Sequence, residues 1–108
     1  MERLVKGDII VIPFPFTNLT TTKKRPALII SKPIGEDLLV TQITGKNNLN
    51  KYSIEIDDFE TGNLPIKSFA KTNKIFTLNK TLVLKKAGKV KQKKLQEIQE
   101  KIISILKE

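Results

Sequence analysis

The chain has no cysteine, no histidine and no tryptophan, and among its 108 residues there is one methionine and one tyrosine. Each absence removes a class of function. Without cysteine there is no disulfide framework, no thiol nucleophile and no thiolate metal site. Without histidine, the usual acid–base pair for cleaving RNA near neutral pH is excluded. The sequence contains no glycine-rich phosphate loop and no serine nucleophile elbow. No apolar run approaches the roughly 20 residues that span a bilayer. The opening "MERLVKGD" lacks the apolar core of a signal peptide. These exclusions predict a cytoplasmic protein with no metal, no cofactor and no membrane partner.

Acids are also in short supply. Eleven Asp and Glu stand against twenty Lys and Arg, for a net charge of +9. Residues 67–94 hold ten lysines and no acid, whereas acids gather in "EIDDFE" at residues 55–60. If that acidic stretch is a strand its carboxylates alternate in and out, so it reads as a wet rim rather than a calcium or magnesium site. A surface of one sign attracts polyanions, which points to nucleic acid or an acidic protein. The competing reading is a lysine-rich surface that serves only solubility. The length fits one domain over residues 1–108, and 39% hydrophobic content predicts that it folds.

Short strands dominate the pattern. "IIVIPF", "PALIIS" and "LLVTQIT" are apolar runs separated by Pro-, Gly- and Thr-rich turns. In "YSIEID", Tyr52, Ile54 and Ile56 face one way and the polar residues the other. "FETGNLP" is predicted to turn the chain, "IKSFAKTNKIFTL" to hold another strand, and "TLVLKK" to form a short strand or extended segment. Five or six such strands predict a small antiparallel barrel or sandwich.

The chain ends differently. Leu95, Ile98, Ile102 and Ile105 form one apolar stripe on a helix over about residues 91–107, with Glu97 and Lys101 paired on its wet side. Lys91, Lys93 and Lys94 crowd the positive end of the helix dipole. Either tertiary packing overrides that cost or these lysines meet an anion.

One residue stands out chemically. Lysine outnumbers arginine eighteen to two, yet Arg25 sits where "TTTKKRPALIIS" passes from a polar loop into an apolar strand. A guanidinium offers phosphate a planar bidentate fork, which an ammonium does not. Pro26 restricts Arg25 to extended backbone. A phosphate clamp and a strand-end salt bridge remain equally open readings of this residue.

The stretch "GDIIVIPFPFTNLTTTKKRPALIIS" resembles the opening of the MazF/PemK toxin family. The resemblance continues through "LLVTQITGK" and the last strands and helix, so it covers essentially the whole chain. It implies an SH3-like antiparallel β-barrel over about residues 6–86 with a C-terminal helix, mainly β in class, and a homodimer. It implies metal-independent cleavage of single-stranded RNA, with Arg25 and Thr44 at the catalytic positions and Thr41 a weaker claimant. An acidic, partly disordered antitoxin is the implied protein partner. For RNA binding, Phe14, Phe16 and Thr17 beside Arg25 are candidates, as are Lys23, Lys24, Lys46, Lys71 and Lys74. Asp8 is a candidate base or a turn residue. The loop after "PFPFT" and the late "AKTNK" depart from the family pattern, so sequence preference is not transferable. A non-catalytic RNA-binding barrel is the alternative function, and a structural dimer with charge for solubility a third.

Overall fold

The computed structural model describes residues 3–14, 23–45 and 49–108. Among these residues seven antiparallel strands and one α-helix make the fold. The strands are β1 (Asp8–Phe14), β2 (Lys23–Ile29), β3 (Asp37–Thr44), β4 (Ser53–Glu55), β5 (Phe59–Gly62), β6 (Phe69–Asn79) and β7 (Lys85–Val90). A single 3-10 turn, Lys80–Leu82, precedes β7, and helix α1 covers Gln92–Leu106. The strand order is β4-β6-β3-β2-β1-β7-β5, and the sheet curls into a half-barrel.

Period-two alternation divides the apolar residues between two cores. Ile9, Leu28, Ile30, Ile43 and Val90 point to one face and pack against Leu95, Ile98 and Ile102 of α1. Their neighbours Ile10, Ile12, Ala27, Ile29 and Val40 point to the other and close on Leu78 and Val83. This is why "IIVIPF" and "PALIIS" are apolar throughout: their strands are covered on both faces.

Among the described residues three ladders are irregular: β5–β7, where the register shifts between Phe59 and Thr61, and the two pairs that bear on the site. In the β3–β6 pair, Thr41 lies opposite Ile75 but Gln42 lies opposite Lys71, so residues 72–74 are extra. Thr41 holds this insertion. Its buried hydroxyl donates to the Lys71 carbonyl at 2.6 Å, shared with the Lys74 carbonyl at 3.2 Å. In the β1–β7 pair, Ile9 faces Gly88 and Ile10 faces Lys86, which leaves Ala87 as the inserted residue.

Several sequence expectations are corrected here. Strand β2 begins three residues before Pro26, so Arg25 lies inside the strand, opposite Ile12. "FETGNLP" carries β5, and the last strand is "KKAGKV" rather than "TLVLKK". Both strands pair with each other through Gly62 and Gly88, where backbones come very close. A Cβ on Gly88 would stand 2.7 Å from the Thr61 carbonyl oxygen. Glycine weakens a strand signal in sequence while permitting this approach in space.

The helix follows the predicted stripe, but its charges pair differently. Glu97 binds Lys94 at 2.9 Å instead of Lys101, and Lys101 lies 5.7 Å from the Tyr52 ring centre. Two of the three lysines at the helix start do meet an anion, which the chain itself supplies. Lys94 reaches Asp57 at 3.1 Å and Lys91 reaches Asp58 at 3.4 Å. Burial disfavours the Lys94 charge, but hydrogen bonds to Glu97 and Asp57 outweigh it and raise its pKa above the ordinary 10.5. A raised folded pKa stabilises fully below 10.5 and loses that contribution as pH climbs through the higher folded value. Chemical denaturation of wild type and Lys94→Met should therefore converge in stability above pH 10.5. A difference that stays constant through that window would contradict the pairing.

Candidate nucleic-acid site

The β2–β3 register pairs Ala27 with Gln42, Leu28 with Thr41 and Ile29 with Val40. Continued by two residues, it sets Arg25 opposite Thr44, where β2 enters the sheet and β3 leaves it. A cavity of about 740 Å³ opens at this end, and both Arg25 and Thr44 belong to its wall. Val11, Pro26 and Ile43 contribute apolar lining, as do residues of the β5–β6 connection at 63–66. Lys24, Lys85 and Lys86 join the lining with Gln42 and Ser68, and among the described residues no carboxylate takes part. Four cations around an acid-free concavity make a site for an anion.

Arg25 is exposed. Its only polar contact among the described residues is a long one, Nη1 to the Lys24 carbonyl at 3.5 Å. No carboxylate among the described residues lies within ion-pair distance, so its fork is open to a ligand. Thr44 is half-buried at the end of β3, opposite Phe69. Thr41, the weaker claimant, is fully buried with its hydroxyl turned to the β6 backbone.

Asp8 does not line the cavity. It is fully buried, accepts the Val5 N–H at 2.8 Å through Oδ2, and faces the Lys86 ammonium at 3.2 Å through Oδ1. That arrangement suits a structural carboxylate holding a cation.

The remaining candidates divide. Lys24 lines the cavity beside Arg25, whereas Lys23 is exposed one residue earlier and outside the lining. Lys71 is mostly buried, Lys74 is exposed on the β6 bulge, and neither lines the cavity. Phe14 is half-buried, with its ring 6.2 Å from that of Phe76, so it packs at the second core. Phe16, Thr17 and Lys46 lie outside the described residues. Lys85, Lys86 and Asn63 are cavity residues that the sequence reading did not single out. The acid-free run at residues 67–94 contained the two lysines, but only the β1–β7 pairing selects them from ten.

Comparison with known proteins gives one consistent answer. The chain is similar over 97% of its length to an endoribonuclease solved in complex with its cognate antitoxin from Mycobacterial species, with 15% identity, TM-score 0.76 and 96% of that chain covered. It is similar over its whole length to MazF from Deinococcus radiodurans, with 14% identity, TM-score 0.78 and all of that chain covered. The MazE–MazF structure from the same organism gives 14% identity and TM-score 0.76, over 98% of this chain and 97% of that one. At these identities the likeness is one of fold. No curated protein matches the chain. The model of the PemK-like, MazF-like toxins of type II toxin–antitoxin systems matches residues 5–106, and with nearly the whole chain covered, the protein belongs to that family.

Proposed function

We propose that this protein is a toxin endoribonuclease that cuts single-stranded RNA without a metal ion. The observation that carries the reading is the convergence of Arg25 and Thr44 on one acid-free, lysine-lined cavity. In the proposed step the substrate's own 2′-oxygen attacks the adjacent phosphorus and the bond to the 5′-oxygen breaks. The 2′-proton passes to solvent, and a proton is returned to the departing 5′-oxygen. The protein then has no nucleophile to supply. Its work is to position the phosphodiester and to stabilise the extra negative charge of the phosphorane. Arg25 takes the non-bridging oxygens through its bidentate fork, and Thr44 donates a hydrogen bond to the phosphate. A guanidinium has no proton-accepting lone pair to offer as a base, so the part given to Arg25 is that of an electrostatic clamp.

The same positive cavity suits an acidic antitoxin, which would compete with RNA by covering it. Relatives in this fold are known as MazE–MazF and toxin–antitoxin complexes. A homodimer working in the cytoplasm completes the reading.

End-group analysis tests the chemistry. Digestion of unstructured RNA in the presence of a chelator should leave 2′,3′-cyclic phosphate and 5′-hydroxyl ends. A single 2′-deoxy substitution at the cut site should block it. Products with 5′-phosphate, or cleavage that survives the deoxy substitution, would refute internal attack.

A further inference from the structure

Lys86 and Asp8 form a charged contact at the cavity that the mechanism above leaves unused. Asp8 is fully buried, and its Oδ1 makes no hydrogen bond among the described residues but faces the Lys86 Nζ at 3.2 Å. A buried carboxylate of this kind requires a partner. The partner is placed by the bulge. Had β7 run regularly, Ala87 would stand opposite Ile10, and Lys86 would share the face of Val11. With Ala87 inserted, Lys86 stands opposite Ile10, on the face that Ile10 shares with Asp8. Lys86 keeps 23% of its side chain exposed and lines the same cavity as Arg25 and Thr44.

We propose that Lys86 is a second phosphate-binding cation of the cavity and that Asp8 is its positioning residue, fixing the ammonium in the wall. The inference rests on the reading of the cavity as an RNA site. A lysine on a four-carbon stem ordinarily gives up rotamer freedom to bind an anion; one already held by a buried carboxylate gives up less. The Asp8 carboxylate is spent on the backbone of Val5 and on this ammonium, so the cavity gains an oriented cation without gaining an acid.

The test uses an all-deoxy oligonucleotide, which lacks the attacking hydroxyl and binds without being cut. Its affinity is measured against salt concentration for wild type, Asp8→Asn and Asp8→Asn/Lys86→Met, with folding checked by circular dichroism. Asp8→Asn adds one net positive charge, so long-range electrostatics alone would tighten binding. Positioning predicts the opposite: about threefold or more weaker binding at low salt, because the ammonium is released. The double variant removes both charges and so strands neither in the interior, and it should reduce the magnitude of the salt slope by about 0.7, the loss of one phosphate contact to a single strand. If wild type binds and the folded variants bind equally or more tightly, this inference is overturned and the proposed function stands. Wild type that neither binds the oligonucleotide nor cuts RNA overturns both.

Discussion

Arg25→Ala is expected to lower kcat for RNA cleavage by about 10²–10³-fold, the usual cost of removing one preorganised donor from a site where negative charge develops. The side chain is exposed and carries no ion pair among the described residues, so stability should move by no more than about 0.5 kcal/mol. The two readouts together separate chemistry from folding. Arg25→Lys sharpens the test: it keeps the charge but loses the planar fork, so it should recover binding more than turnover. Full activity in the lysine variant would reduce Arg25 to one charge among several. Full activity in the alanine variant would remove it from the mechanism.

The second large effect concerns the helix. Ile98 is fully buried between α1 and the sheet, in the cluster with Ile9, Leu28 and Ile43. Ile98→Ala deletes three carbons there and leaves a cavity that backbone elements on both sides keep from collapsing. The expected cost is about 2–5 kcal/mol. For a domain of this size that lowers Tm by about 8 °C or more. Urea denaturation should show a lower midpoint with an unchanged slope. A loss below about 1 kcal/mol would mean that the helix docks through its N-terminal end, by the Lys91–Asp58 and Lys94–Asp57 pairs, rather than through its stripe.

What could be read from sequence follows how local each signal is. The helix stripe at Leu95, Ile98 and Ile102 and the apolar runs of β1 and β3 carry their period within a few residues, and the structure has them at those places. β5 and β7 carry no such period. "FETG" and "KKAGKV" pair because their backbones fit closely at Gly62 and Gly88, a relation between segments about 25 residues apart that neither segment displays alone. The same limit applied to the cavity. Arg25 was legible from its place before Pro26, and Thr44 from the family pattern. Lys85 and Lys86 became distinct from the other lysines only when β7 was laid against β1. The helix-start lysines carried a visible conflict with the helix dipole, and its resolution lay in "EIDDFE", over thirty residues upstream.

The inserted Ala87 bears on how the chain avoids folding wrongly. A lysine-rich strand has few apolar residues to choose its alignment; Val90 and the close Gly62–Gly88 approach contribute, and the Asp8–Lys86 pair adds to them. Sliding β7 by one position would set an alanine methyl near the Asp8 carboxylate and strand it without a counter-charge, at about 3–5 kcal/mol. The hidden acid is thus one more penalty on the slipped form, beside the clash that a side chain in the place of Gly88 would meet.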